Sequence, residues 1–258
     1  MRISKFFTAV FLIVLLAGCT EKPEGEVTKQ THLQMLSESY PPLVFLKDGK
    51  IEGMFAEVVD SIAKTLKINT DIIIQPWDKS YETALTTPNI VIFPIVKTSI
   101  REKRFYWIEP PLIDFTVYFY ERSGRDLIIN SLNEAKKYKI GTNRGFYSDE
   151  IMRREGFKNL VTYETPKDNI KALMNGEVDL VVFTDFRAEI LIKKSGYSLS
   201  DILPVYEAGK GGLYIAISKG TDKRVTAEWE KAFKYLRQKR IFYKIYKKWF
   251  MGNTLYDN

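Results

Sequence analysis

Thiols, imidazoles and phosphate-binding glycine loops are almost missing from this chain. It has one cysteine and one histidine in 258 residues. A His-rich zinc site, a Ser-His-Asp triad and a Cys-His dyad therefore lack the side chains they need. "GKGG" at 209–212 has the wrong spacing for a phosphate cradle and leads to no lysine–hydroxyl pair. Most hydrolytic and cofactor chemistries lose their residues here, and no cofactor or metal is expected. The apolar stretch Phe6–Ala17 falls short of the ~20 residues that a membrane-spanning helix requires.

That stretch follows a short positive segment with Arg2 and Lys5, which gives it the flanks of a secretory signal. It ends "LLAGC", where small residues run directly into the lone cysteine. This resembles the lipobox of bacterial lipoproteins, in which Cys19 is acylated (palmitate-type) and becomes the first mature residue. An ordinary signal peptide with an incidental cysteine is the alternative. The following "TEKPEGEVTKQT" is nearly free of apolar side chains and reads as a flexible tether. With Cys19 lipidated, no thiol remains for a disulfide, so burial alone must stabilise the fold.

What the chain does have is aromatic side chains, 14% of the total, and a regular alternation of short β-rich runs with helical periodicity. Phe55, Val58, Val59, Ile62 and Leu66 recur at helical spacing in "GMFAEVVDSIAKTLKI" and make one apolar face. "LQMLSES", "DIIIQP" and "NIVIFPIV" read as strands, "SYETALTT" as a short helix and "FTVYFYE" as an extended run. A second, similar unit follows: strands "YKIGTN", "NLVTYE" and "VDLVVFTD" alternate with three helices. The first of these, "SDEIMRREG", opens at Ser148; "PKDNIKALMNGE" has Pro166 in its first turn; "FRAEILIKKSG" is the third. "ILPVYEA" and "GLYIAISK" are extended, and a long helical tail runs from Thr221 to Phe250.

Strands alternating with helices imply parallel sheets covered on both faces. The expected fold is α/β and two-lobed, each lobe a doubly wound, mostly parallel sheet. Runs near 117–122 and 203–208 connect the lobes as a hinge. The expected division is a signal peptide at 1–18, a tether at 19–31, lobe 1 at 32–120 and 206–258, and lobe 2 at 121–205. Ligands in open α/β sheets sit beyond the carboxyl ends of strands, so the site is expected in the cleft between lobes.

Several segments, in order and over nearly the whole mature chain, carry a family resemblance. They are "SESYPPLVF", "GKIEGMFAEVVDSIAKTL", "PWDKSYETAL", "TSIREKRFYWIEP", "KALMNGEVDLVVFTD" and "AEWEKAFKYLRQKRIFYKIYKKWF". Together they resemble the bacterial extracellular solute-binding proteins of family 3, the polar-amino-acid kind of type II periplasmic binding protein. The resemblance implies that Arg101 grips a ligand carboxylate, a role its rigid donor fork suits. Thr98 stands at the family's hydroxyl position beside that carboxylate, and Tyr40 at its first-turn aromatic. Trp77 and Tyr81 lie where an aromatic lid belongs, or are core aromatics. Arg104 reads as a surface residue.

Two departures stand out. "RGFYSDE" keeps Gly145 but places Phe146 and Tyr147, followed by Ser148, where the family has hydroxyl residues. The family's ammonium-binding aspartate falls on Thr184, with Asp185 one residue later. Strand alternation puts those two on opposite faces.

The implied function is an exported, lipid-anchored, monomeric binding protein in the periplasm or on the outer face of the cell membrane. It captures a small polar, carboxylate-bearing solute by hinge closure and hands it to an ABC-type permease. A sensing module for a membrane receptor is one alternative. A dehydratase-like enzyme on the same fold is another, with Glu57, Asp78 or Asp185 as general acid. The basic tail, with Ile241, Ile245 and Trp249 on one face, reads as a helix packed on lobe 1 with a solvated face. A membrane-lying helix is the other reading, and export argues against a nucleic-acid partner.

Overall fold

Hydrophobic periodicity places the first half of the chain. The computed structural model describes residues 32–69 and 71–251. Cys19, the signal segment and the expected tether lie outside the described residues. Strand β1 (Gln34–Ser37) is followed by a hairpin, β2 (Phe45–Lys47) with β3 (Lys50–Glu52). Helix α1 (Met54–Leu66) buries Phe55, Val58, Val59 and Ile62 completely. Next come β4 (Ile72–Ile74), α2 (Trp77–Thr86), β5 (Ile90–Val96) and the single turn α3 (Ser99–Glu102). Strand β5 is buried along both faces: Val91 and Phe93 enter the main core, while Ile90 and Ile92 enter a second cluster with Leu36, Phe105 and Trp107.

The second half follows the same logic. After β6 (Phe105–Arg122) come α4 (Leu132–Ala135), β7 (Ile140–Asn143), α5 (Tyr147–Arg154) and β8 (Leu160–Tyr163). Then α6 (Pro166–Asn175), β9 (Leu180–Thr184), α7 (Asp185–Lys194), β10 (Ile202–Ser218), α8 (Lys223–Gln238) and α9 (Ile241–Phe250) complete the chain. A separate cluster built on Ile170, Leu173, Val181, Phe183 and Ile192 packs this half.

The strands form one ladder in the order β4-β1-β5-β10-β6-β9-β7-β8. The outer pairs, β1 with β4 and β5 and β7 with β8 and β9, are parallel. The central pairs are antiparallel. The two sheets expected from the sequence thus share β6 and β10, which pair with each other along nearly their whole length. The carboxyl half of β10 pairs with β5, and the carboxyl half of β6 pairs with β9.

Three local expectations need correction. Strand β6 begins at Phe105, ahead of the extended run expected from Phe115. Pro110 and Pro111 lack the N–H a ladder uses, and the register shifts between Leu213 and Ile215 opposite them. Helix α5 is opened by Phe146 as its N-cap, so Ser148 sits buried inside the first turn. The tail is two helices, because Arg240 adopts a left-handed conformation (φ 57°) between α8 and α9. Both helices pack against α1, with Trp229, Phe233, Ile245 and Trp249 buried. The apolar face of the basic tail is thus covered by the protein's own core. No helix among the described residues is long and apolar enough to cross a membrane.

Candidate functional site

The route from β5 to Arg101 is short and tightly held. Strand β5 ends at Val96, and Thr98 caps α3. Its Oγ1 accepts from Arg101 N–H at 3.3 Å and its carbonyl from the same N–H at 3.0 Å. This fixes the backbone under the guanidinium. The side chain then lies over Trp77 and Tyr81, 5.4 and 5.2 Å from the ring centroids. Those two rings are themselves stacked at 5.6 Å. A cation over half-buried rings gains on the order of 1 kcal/mol, and rings hold it without consuming its N–H donors. One donor reaches Glu150: Nη2 to Oε2 is 2.7 Å.

The opposite wall comes from the second half of the sheet. Strand β7 ends at Asn143, and Gly145 turns the chain with φ +75° into α5. Strand β9 passes into α7 with no intervening loop, so Thr184 is both its last residue and the N-cap of α7. One turn into α7, Arg187 is clamped face-on between Tyr40 and Phe146, its guanidinium carbon 4.1 and 4.0 Å from the two ring centroids.

These walls enclose a cavity lined by Tyr40, Trp77, Arg101, Tyr147 and Thr184, with Glu38, Phe146 and Arg187 beside them. Of the residues singled out from the sequence, the structure brings those first five together. Tyr81 stacks behind Arg101 and Thr98 holds its backbone, so both support the site from outside the lining. Ser148 is buried in α5. Asp185 is exposed, and its carboxylate accepts from the backbone N–H groups of Thr116 and Phe186. Thr184 faces the cavity and Asp185 does not.

Glu38, Arg187 and Glu150 were not singled out from the sequence. Glu38 follows the carboxyl end of β1, and Arg187 lies one turn past the carboxyl end of β9. The rule that places ligands beyond strand ends, applied to every charged residue there, would have found both. Glu150 had no such signal.

The cavity is electrostatically uneven. Burial raises the Glu38 carboxyl above its ordinary value of 4.5, and Arg187 and Arg101 pull it back only in part. Burial likewise raises the phenols of Tyr40 and Tyr147. Two guanidinium groups and one carboxylate are the charged side chains in the lining, and Glu150, just outside it, pairs with Arg101. Among the described residues, no group of three or more His, Cys, Asp or Glu side chains is placed to hold a metal.

Comparisons with known proteins agree with this architecture. The L-cystine-binding protein TcyJ of Escherichia coli K12 is 24% identical over 228 residues, covering 84% of this chain and 85% of that protein. A histidine kinase sensor domain similar to periplasmic binding proteins superposes with a TM-score of 0.74 at 20% identity, over 86% of this chain and 98% of its own. The substrate-binding protein of an amino acid ABC transporter superposes at 0.69 and 20% identity, over 85% and 99%. The fold is the two-lobed type II periplasmic binding protein fold. A model of the bacterial extracellular solute-binding proteins, family 3, matches residues 34–252, and the chain belongs to that family.

Proposed function

We propose that this protein is a lipid-anchored, extracytoplasmic binding protein that captures a small carboxylate-bearing solute of amino-acid type and delivers it to an ABC-type permease. The single observation that carries the ligand class is Arg101, a guanidinium at a cavity wall, held on two stacked rings with donors left for a carboxylate. Relatives of known role bind L-cystine or serve amino acid ABC transporters, which supports the same class. Lobe 1 is 32–120 with 206–258, and lobe 2 is 121–205. The long strands β6 and β10 are where the two would bend about one another, closing the cavity over its ligand. The anchor is Cys19, directly after the apolar Phe6–Ala17 stretch.

Binding without turnover is the second part of the reading. Its support is the family. The acids that an enzyme reading would use, Glu57, Asp78 and Asp185, all stand outside the cavity lining. Glu57 is engaged by Lys248 of α9.

The test is mass spectrometry of the small molecule that co-purifies with the full-length protein in mild detergent, followed by titration of that molecule. A carboxylate-bearing solute that raises the melting temperature and is recovered unchanged supports the reading. A bound molecule without a carboxylate, or one consumed on incubation, overturns it. Labelled palmitate incorporated by the wild type and lost in Cys19→Ala tests the anchor.

A further inference from the structure

The cavity has a second basic end that the Arg101 reading leaves unused. Arg187 lines it, and its faces are taken by Tyr40 and Phe146. No carboxylate lies within 4.0 Å of its guanidinium among the described residues. A guanidinium sandwiched between rings is held in one plane, and its N–H groups radiate from the edge of that plane, poised for a planar acceptor.

A second, independent observation stands beside it. Thr184 is only 8% exposed and lines the same cavity, yet its Oγ1 is buried without a hydrogen-bond partner. The Tyr40 phenol lies beside both Arg187 and Thr184 and competes with a ligand for them, but within hydrogen-bond geometry Thr184 Oγ1 has no partner. A buried hydroxyl left unpaired costs on the order of 1–3 kcal/mol, so its place in the wall makes sense when a ligand supplies the partner. Thr184 is also the N-cap of the ten-residue α7, and its side chain makes no capping bond there. The first turn of that helix already carries the Asp185 carboxylate, which accepts from Phe186 N–H, so the cationic partner at this spot is Arg187.

We propose that Arg187 and Thr184 form a second carboxylate subsite, so that the ligand carries two carboxylates, one on Arg101 and one on Arg187, with its ammonium toward Glu38. This rests on the reading of Arg101 above and deepens it. Charge balance supports it. Once Arg101 has exchanged Glu150 for the ligand, the two guanidinium groups and one carboxylate of the lining match two carboxylates and one ammonium, the charge pattern of an acidic amino acid. Glu38 is the one carboxylate of the lining and so the partner there for an ammonium.

The test compares L-glutamate, L-glutamine and L-cystine by calorimetric titration into full-length wild-type protein, Arg187→Gln and Arg187→Lys. L-glutamate and L-glutamine differ only in the second carboxylate; L-cystine carries two carboxylates at longer spacing and a second ammonium. Wild type should bind a two-carboxylate probe at least about thirtyfold more tightly than L-glutamine, the loss typical when one partner of a desolvated ion pair is removed. Arg187→Gln should abolish that preference, and Arg187→Lys should restore part of it. A merely structural role for Arg187 would weaken all three probes alike and leave their ratios unchanged.

Preference for L-cystine over L-glutamate, lost in Arg187→Gln, supports the subsite and assigns it the longer spacing. Equal binding of L-glutamine and the two-carboxylate probes, or ratios unmoved by Arg187→Gln, overturns the subsite while Arg101 keeps its role. Failure of all three probes to bind wild type overturns the two-carboxylate subsite and leaves the Arg101 reading to the co-purified molecule.

Discussion

Arg101 of α3 and Glu150 of α5 are joined by an ion pair of 2.7 Å, with side chains 13% and 32% exposed. The pair ties the first half of the sheet to the second, beside the cavity wall formed by Tyr147. Glu150 thus presents a carboxylate to the guanidinium that we assign to the ligand.

This makes Glu150 a competitor. Its replacement, Glu150→Gln, removes the charge and keeps the shape, so Arg101 no longer has to release a carboxylate before it takes another. A partly exposed ion pair stabilises by up to about 1 kcal/mol, so affinity for a carboxylate ligand should rise about fivefold. Calorimetric titration checks the sign. A drop in affinity would mean that Glu150 positions Arg101 for the ligand and does not compete with it.

Glu38 gives a prediction in pH. Its carboxyl titrates above 4.5 in the folded chain because burial disfavours the charge. Between 4.5 and that raised value the folded chain holds more protons than the unfolded one. Stability therefore falls as pH rises through this window, and the cost is fully present above it. Glu38→Gln should accordingly raise the melting temperature of the unliganded protein at neutral pH. The gain should shrink as the pH falls and vanish below 4.5. Melting curves across pH for both proteins decide it, and a gain independent of pH would remove charge burial as the cause. The same variant should bind an ammonium-bearing ligand more weakly.

Much of this architecture is legible before any coordinates. The apolar run of β5 and the spacing of Phe55, Val58, Val59 and Ile62 on α1 are local patterns, and burial follows from them directly. The break at Arg240 is not legible, because neither glycine nor proline marks it. The start of β6 is hidden by Pro110 and Pro111, which a strand reading rejects unless the register is known to shift beside them. At the site, Arg101 and Thr98 stand out because capping and strand end lie in one short segment. Arg187 is legible only as a charge beyond a strand end, its clamp coming from rings distant in sequence, and Glu150 is not legible at all, since its partner Arg101 lies on another element.

Gly53 supplies a test of the fold that is independent of the ligand. It precedes α1 with φ +126°, and a Cβ there would come within 2.2 Å of the Leu43 carbonyl oxygen. Both the backbone conformation and the space exclude a side chain. Gly53→Ala should cost about 3 kcal/mol or more, combining strain with forced displacement of the backbone between β1 and β2. Gly156→Ala is the control, with φ +80° and open space around it, and should lose only about 1–2 kcal/mol. Urea denaturation of the two variants compares them. Equal losses would show that the Leu43 backbone yields freely.

The Arg101 series joins the competitor and the clamp. Removing one partner of a desolvated, hydrogen-bonded charge pair costs ~2–5 kcal/mol. In wild type, however, the unliganded Arg101 is already satisfied by Glu150, so the ligand gains only the difference between the two partners. Arg101→Ala should therefore lose affinity near the lower bound, about thirtyfold. In the Glu150→Gln background no such exchange occurs, and the same substitution should lose more, about fivefold beyond that, the same factor that Glu150→Gln gains on its own. Arg101→Lys should recover only part of the loss in either background, since an ammonium cannot offer the two-pronged geometry. Arg104→Ala removes an exposed side chain three residues on and should leave affinity within about twofold. Calorimetric titration of the full set with the co-purified solute yields the coupling between positions 101 and 150. Identical losses in both backgrounds would show that the two side chains act independently, and unchanged affinity in Arg101→Ala would remove Arg101 from the site altogether.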